Sequence, residues 1–128
     1  MAGVVVDSSV LIDHLRGAAR ATDFLEKERR LGPVHVPALA AWELWKGATN
    51  PRRRAGVHDL LSSVDVDTFG PAMAQLAGEL HVRLAASGRA PPSYDQLIAS
   101  HALLRGLPLA TRDRDYSTIP GLRIVGAD

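Results

Sequence analysis

The chain has 128 residues, 46% of them hydrophobic, and its 15 basic and 14 acidic residues give a formal net charge of +1. This composition predicts one globular domain over residues 1–128 and excludes a disordered chain, and any affinity for nucleic acid must come from local clusters of charge. The chain has no cysteine, no membrane-length apolar stretch and no charged leader, which excludes disulfides and thiolate metal sites and leads us to expect a soluble cytoplasmic protein that binds no membrane.

The first predicted strand, Val4 to Val6, ends in a carboxylate. Its run of valines without polar alternation is typical of a strand that is buried on both faces in a parallel sheet. Asp7 then lies at the carboxyl end of a central strand, which is the edge where ligands bind in open α/β sheets. The alternative is that Asp7 or Ser8 only caps the helix predicted from Ser8 to about Arg16.

The third predicted helix, residues 38–49, carries an acid among apolar side chains. It follows a second helix over residues 18–31 and a short strand over residues 34–36. Because a buried carboxylate is costly without a partner, Glu43 is a candidate functional residue. The alternative is a surface glutamate that pairs with Lys46 at i,i+3.

The same helix contains both tryptophans of the chain. We expect Trp42 and Trp45 to be core residues rather than platforms for a ligand.

Asn50 and Pro51 predict the start of a fourth helix, with Asn50 as its N-cap. Arg52, Arg53 and Arg54 follow in the first turn, where cations oppose the helix dipole. This cost suggests a contact with phosphates, whereas a solvated face is the more common role of such a run.

The segment from Val64 to Asp67 alternates apolar and acidic residues, as a half-exposed edge strand does. We therefore expect Asp65 and Asp67 to be solvated. A long core helix follows between Gly70 and Gly88.

Two later segments add further acids. Ser93 and Gln96 match a capping box, which places Asp95 in the first turn of a helix, where the dipole alone stabilises a carboxylate. A buried strand over residues 107–111 then ends in the polar run 111–116, and a last short strand covers residues 122–125.

The alternation of apolar strands with helices predicts an α/β fold, a parallel sheet between two layers of helices. Strand ends and the starts of the following helices lie on one edge of such a sheet, so the separate acids converge there. Like charges repel unless a cation neutralises them. Oxygen ligands suit Mg²⁺ or Mn²⁺ rather than Zn²⁺, since the five histidines show no ligand spacing, and such an ion activates water and stabilises phosphoryl charge.

Four motifs then carry a resemblance that covers nearly the whole chain. They are Val-Val-Val-Asp7-Ser-Ser, Trp-Glu43-Leu-Trp-Lys-Gly, Tyr-Asp95-Gln-Leu-Ile-Ala-Ser-His-Ala and Leu-Ala-Thr111-Arg-Asp113-Arg-Asp115-Tyr. In this order and spacing the chain resembles the PIN-domain ribonucleases, and among them the VapC toxins of bacterial toxin-antitoxin pairs. The resemblance implies a three-layer PIN-like fold, Mg²⁺ or Mn²⁺ as cofactor, and cleavage of single-stranded or looped RNA such as tRNA or ribosomal RNA to 5′-phosphate and 3′-hydroxyl products.

The resemblance also implies roles for individual residues. The catalytic acids would be Asp7, Glu43, Asp95 and Asp113, and the metal ligands would be Asp7, Asp95, Asp113 and Asp115. Ser9 and Thr111 fall where hydroxyls support the site by hydrogen bonds. Many relatives have Asn at the position of Asp113 and one more residue before the later acid, so the choice between Asp113 and Asp115 as metal ligand stays open.

The partners that the resemblance implies are an RNA substrate, a VapB-like antitoxin whose C-terminal segment crosses the acidic groove, and a second copy of the chain in a homodimer. The cations predicted to contact RNA phosphates are Arg112, Arg114, Arg52, Arg53 and Arg54.

Two other classes of protein fit the sequence less well. A PIN fold with an inert site would only bind RNA or an antitoxin, and the intact acid set disfavours it. A phosphoryl-transfer domain would need Asp-x-Asp in place of Asp7-Ser8-Ser9, or a late lysine, and the lysines are Lys27 and Lys46.

Overall fold

The computed structural model describes residues 3–126, so the predicted domain limits at 1 and 128 lie outside the described residues. Five strands form its sheet: β1 (Val4–Val6), β2 (Val34–Pro37), β3 (Asp65–Asp67), β4 (Leu109–Ala110) and β5 (Ile124–Val125). The α-helices are α1 (Ser8–Leu15), α2 (Ala19–Leu31), α3 (Ala38–Lys46), α4 (Pro51–Ser62), α5 (Pro71–Ser87) and α6 (Ser93–Arg105). A 3₁₀ helix covers Arg114–Thr118.

The sheet is parallel throughout and has the strand order β3-β2-β1-β4-β5. This confirms the predicted α/β class. With the right-handed crossovers of parallel strands, α1 to α4 cover one face, and α5 and α6, which pack on each other, cover the opposite face. The central strands are buried on both faces, as the valine run of β1 predicts.

The strand order reverses between β1 and β4. From β1 the chain builds outward to β2 and β3 and then returns to the other side of β1, where β4 pairs with it at Val6 and Ala110. Such a reversal opens a crevice at the carboxyl ends of the two strands. Asp7 follows β1 and Thr111 follows β4, so the fold places both at this crevice.

Several local predictions are confirmed and others are wrong. Asn50 caps α4 by accepting from the Arg53 backbone N–H at 2.9 Å. The capping box at Ser93 is wrong, because Pro92 occupies the N-cap position, and the Gln96 side chain instead donates to the Pro91 carbonyl at 2.7 Å. Helix α3 ends at Lys46 rather than at residue 49.

The prediction for the first tryptophan is also wrong. Trp42 is 54% exposed, because it lies on the outer side of α3, with the Lys46 ammonium 4.6 Å from its ring centre. Trp45 is partly buried and packs against the core, in agreement with the prediction.

Strand β3 carries the largest departure from the sequence pattern. Asp65 is exposed as expected, but the Asp67 side chain is only 10% exposed. Its Oδ2 accepts from His101 Nε2 at 2.9 Å and lies 2.7 Å from Arg105 Nε. His35 Nδ1 lies 2.9 Å from the same oxygen without hydrogen-bond alignment. Asp67 is therefore not solvated but joins β2, β3 and α6.

Among residues 3–126, no helix combines the length and the apolar character that a membrane crossing requires.

Candidate active site at the carboxyl ends of β1 and β4

Asp7 is held at both carboxylate oxygens. Its Oδ1 accepts from the Ser9 backbone N–H at 3.0 Å and from the Ser9 hydroxyl at 2.6 Å, so Asp7 caps α1. Its Oδ2 accepts from the Thr111 hydroxyl at 2.5 Å. Burial raises the pKa of Asp7, and the hydrogen bonds from Ser9 and Thr111 oppose that rise. Asp7 therefore caps α1, as the alternative predicts, and it also lies at the crevice, where its functional role stays a prediction.

The hydroxyls of Ser9 and Thr111 also accept hydrogen bonds from the backbone of the segment after β4. The Thr111 hydroxyl accepts from the Asp113 backbone N–H at 2.9 Å, and the Ser9 hydroxyl accepts from the Arg112 backbone N–H at 3.2 Å. These bonds connect the ends of neighbouring strands, so the position of Asp113 depends on that of Asp7.

Three carboxylates meet beside this network. One ligand oxygen from each of Asp95, Asp113 and Asp115 lies within 4.8 Å of the others. Asp95 is buried in the first turn of α6, Asp113 is half-buried, and Asp115 is exposed. Asp113 caps the 3₁₀ helix by accepting from the Asp115 backbone N–H at 2.9 Å, which turns both acids toward one region.

The charges of this group are not balanced by the chain. Burial, followed by the charges of Asp113 and Asp115, raises the pKa of Asp95 to about 6. Within residues 3–126, no Lys or Arg forms a salt bridge with Asp7, Asp95, Asp113 or Asp115. A set of oxygen donors with excess negative charge suits a hard divalent cation such as Mg²⁺ or Mn²⁺.

Glu43 is not part of the three-carboxylate group. It is half-buried on α3, and its Oε2 lies 3.3 Å from Lys46 Nζ, the pair that the alternative interpretation predicts. Glu43 also lines a groove of about 710 Å³ between α1, α3 and α4. Its side chain is partly open to solvent.

Two tyrosines at the site have no role in the sequence analysis. Burial raises the pKa of Tyr94 to about 12, and the charges of Glu43, Asp7 and Asp95 add to the rise. Burial also raises the pKa of Tyr116 above its usual range, and a hydrogen bond from Tyr116 lowers that of Asp95. Both phenols stay protonated and can donate beside the acids. Their only sequence signal is their position next to Asp95 and Asp115.

The predicted RNA-contacting arginines lie in different surroundings. Arg52 and Arg53 line the groove beside Glu43, together with Arg16. Arg54 is stacked on Trp45, with its guanidinium carbon 5.3 Å from the ring centre.

The two arginines after β4 also differ from each other. Arg114 is exposed, whereas the Arg112 guanidinium pairs with Asp13 of α1.

A family model described as the PIN domain matches residues 4–122. The chain belongs to the PIN-domain family. Among relatives of this PIN-domain protein, ribonuclease VapC10 of Mycobacterium tuberculosis (strain ATCC 25618 / H37Rv) is 37% identical over 108 residues, which are 84% of this chain and 80% of the relative. The tRNA(fMet)-specific endonuclease VapC of Shigella flexneri is 32% identical over 97 residues, 72% of this chain and 74% of that one.

A solved structure is similar to this chain over its whole length. The DNA-bound VapBC complex from Salmonella typhimurium contains a chain that superposes with a TM-score of 0.90 at 25% identity, over 100% of both chains. The predicted resemblance to the VapC branch is therefore confirmed.

Proposed function

We propose that this chain is a VapC-type endoribonuclease that depends on a divalent cation, hydrolyses phosphodiester bonds in structured RNA such as tRNA or ribosomal RNA, and so inhibits translation. The observation that carries the proposal is the group of Asp95, Asp113 and Asp115, whose carboxylates lie together in a chain of the PIN-domain family. Relatives named as a ribonuclease and a tRNA(fMet)-specific endonuclease support the substrate class.

The acids would divide the work by position. Asp95, Asp113, Asp115 and Asp7 would hold Mg²⁺ or Mn²⁺, with Ser9 and Thr111 keeping Asp7 in place. Such a cation, when bound, stabilises negative charge on the phosphoryl oxygens. Glu43, outside the three-carboxylate group, would orient the attacking water and accept its proton. We expect products with a 5′-phosphate and a 3′-hydroxyl.

We expect the RNA to extend from the acids along the groove that Glu43 lines. Arg52 and Arg53 line this groove. Arg54 is an exposed cation next to them in sequence, and Arg114 is an exposed cation next to the acids in sequence. Phosphate contacts of this kind position a nucleic acid without reading its sequence. Arg112 stays a predicted RNA contact, although its guanidinium is engaged by Asp13.

The partners follow from the same family. We propose that a VapB-like antitoxin neutralises the enzyme, because the chain superposes over its full length on the toxin-sized chain of a VapBC complex. The homodimer, the cytoplasmic location and the single domain over residues 1–128 stay predictions.

The test is cleavage of total tRNA by the purified chain with Mg²⁺ or Mn²⁺, followed by addition of EDTA. We expect EDTA to stop cleavage and Asp95→Asn to reduce the rate by at least about 100-fold, since a metal ligand is lost at the reacting centre. Asp23→Asn, an exposed acid on α2, is the matched control and should cleave like the wild type. RNA that is bound but left intact by the wild type would instead show an inert binding module.

A further inference from the structure

Arg112 is fixed to α1 at two points. Its guanidinium faces the Asp13 carboxylate with two nitrogens, Nη2 donating to Oδ1 at 3.1 Å and Nε pairing with Oδ2. Its backbone N–H donates to the Ser9 hydroxyl at 3.2 Å. A bidentate pair between a guanidinium and a carboxylate fixes orientation as well as distance. Residue 112 therefore cannot shift without breaking contacts at both its backbone and its side chain.

Arg112 directly precedes the segment that contains Asp113 and Asp115. Thr111 before it contacts Asp7, and Asp113 after it begins the 3₁₀ helix that contains Asp115. The segment faces Asp95 with charge of the same sign, so repulsion favours its movement away from α6. The contacts that oppose this movement are those of Arg112 and Thr111 on the α1 side and those of the buried Tyr116, which hydrogen-bonds Asp95, on the α6 side.

We infer that Asp13, acting through Arg112, is a positioning residue that keeps Asp113 and Asp115 within reach of Asp95, and so sets the affinity of the site for a divalent cation. The inference rests on the proposed function, because it concerns the metal ligands of that site. It also assigns Arg112 a role different from contact with RNA. The same planar fork suits a phosphate as well as a carboxylate, so the test must separate these two roles.

The experiment is titration of the purified full chain with Mn²⁺ in a calorimeter without RNA. Asp13→Asn keeps the shape of the side chain but removes its charge. We expect it to weaken Mn²⁺ binding by about 10-fold, which is typical when a residue that orients metal ligands is lost. Asp23→Asn is the control and should bind Mn²⁺ like the wild type.

A second variant reaches the pair from its exposed side. Arg112→Ala should weaken Mn²⁺ binding to the same extent, and the double variant should be no worse than either single one, because all three lack the same contact. The charge exchange Asp13→Arg with Arg112→Asp should recover part of the affinity. Thermal unfolding without metal identifies any variant that fails to fold, and the exposed position of Arg112 makes that variant the safer one.

Three results would contradict the inference in different ways. If Mn²⁺ binding is unchanged in Asp13→Asn while Arg112→Ala raises the KM for RNA, then Arg112 is a phosphate contact and Asp13 has no positioning role. If the wild type itself does not bind Mn²⁺, the metal site of the proposed function is wrong and the inference fails with it. Equal Mn²⁺ affinity in wild type and both variants overturns the inference alone.

Discussion

A buried aspartate lies near each end of helix α6, and the two aspartates have neighbours of different charge. Near its carboxyl end, His101 and Arg105 reach Asp67 of β3, which also lies beside His35. At its amino end, Asp95 meets Asp113 and Asp115 instead. Asp67 lies beside a guanidinium and two imidazole rings, whereas the charged neighbours of Asp95 are two further carboxylates.

The contrast separates a structural charge from a functional one. A buried carboxylate whose charge is neutralised by its own chain needs nothing from solution. A buried carboxylate whose charged neighbours are acids carries a raised pKa, as Asp95 does, and gains from a cation that the solution supplies. The two regions should therefore respond differently to substitution, metal and pH.

The largest effect is expected from removing the balanced carboxylate. Asp67→Asn removes the negative charge that His101 and Arg105 contact and that lies beside His35, and we expect the free energy of unfolding to fall by about 3 kcal/mol. Asp65→Asn, two residues away on the same strand and exposed, should change it by less than about 0.5 kcal/mol. Chemical denaturation measures both variants. Equal stability of the two would remove the distinction between a buried and a solvated acid on β3.

The next effect is expected from metal. Mn²⁺ at ten times its dissociation constant should stabilise the wild type by about 1.4 kcal/mol, because it binds the folded state alone. Asp67→Asn should gain the same amount, whereas Asp95→Asn should gain almost nothing. Thermal unfolding with and without Mn²⁺ measures this. A gain in Asp95→Asn equal to that of the wild type would place the cation elsewhere.

The smallest effect is expected from pH in the absence of metal. The pKa of Asp95 is about 6 in the folded chain and near 3.8 when unperturbed, so the folded state takes up its proton first and is stabilised as pH falls from 7 to 5. We expect the wild type to gain about 1 kcal/mol relative to Asp95→Asn over this range, with water at the crevice screening part of the charge. Denaturation at the two pH values measures the difference. A wild type that becomes more stable than Asp95→Asn as the pH rises would contradict the prediction.

The meeting of Asp95 with Asp113 at one edge of the sheet could be predicted from the sequence, because each acid is tied to a local signal. Asp7 and Asp113 follow buried strands, Asp95 opens a helix, and the topology of parallel sheets brings such positions to one edge. The sequence does not predict that Asp7 and Glu43 lie outside the three-carboxylate group, because side-chain separation across a crevice depends on how the elements pack.

The Asp67 cluster could not be predicted for a related reason. The alternation of residues 64–67 assigns a face to Asp67 but does not show that α6 covers that face. His35 and His101 are 66 positions apart in the chain, so their spacing carries no signal. Trp42 was wrongly predicted as a core residue because hydrophobicity alone does not show which side of α3 faces the sheet.

The double engagement of Asp7 affects how genetic data on this chain should be understood. Its side chain begins a helix at the centre of the molecule and also borders the crevice. In a growth-based selection for harmless variants, position 7 should be recovered often, because its loss lowers the amount of intact protein in the cell as well as its turnover. Position 95 should give variants that accumulate normally, so immunoblotting of the survivors distinguishes the two.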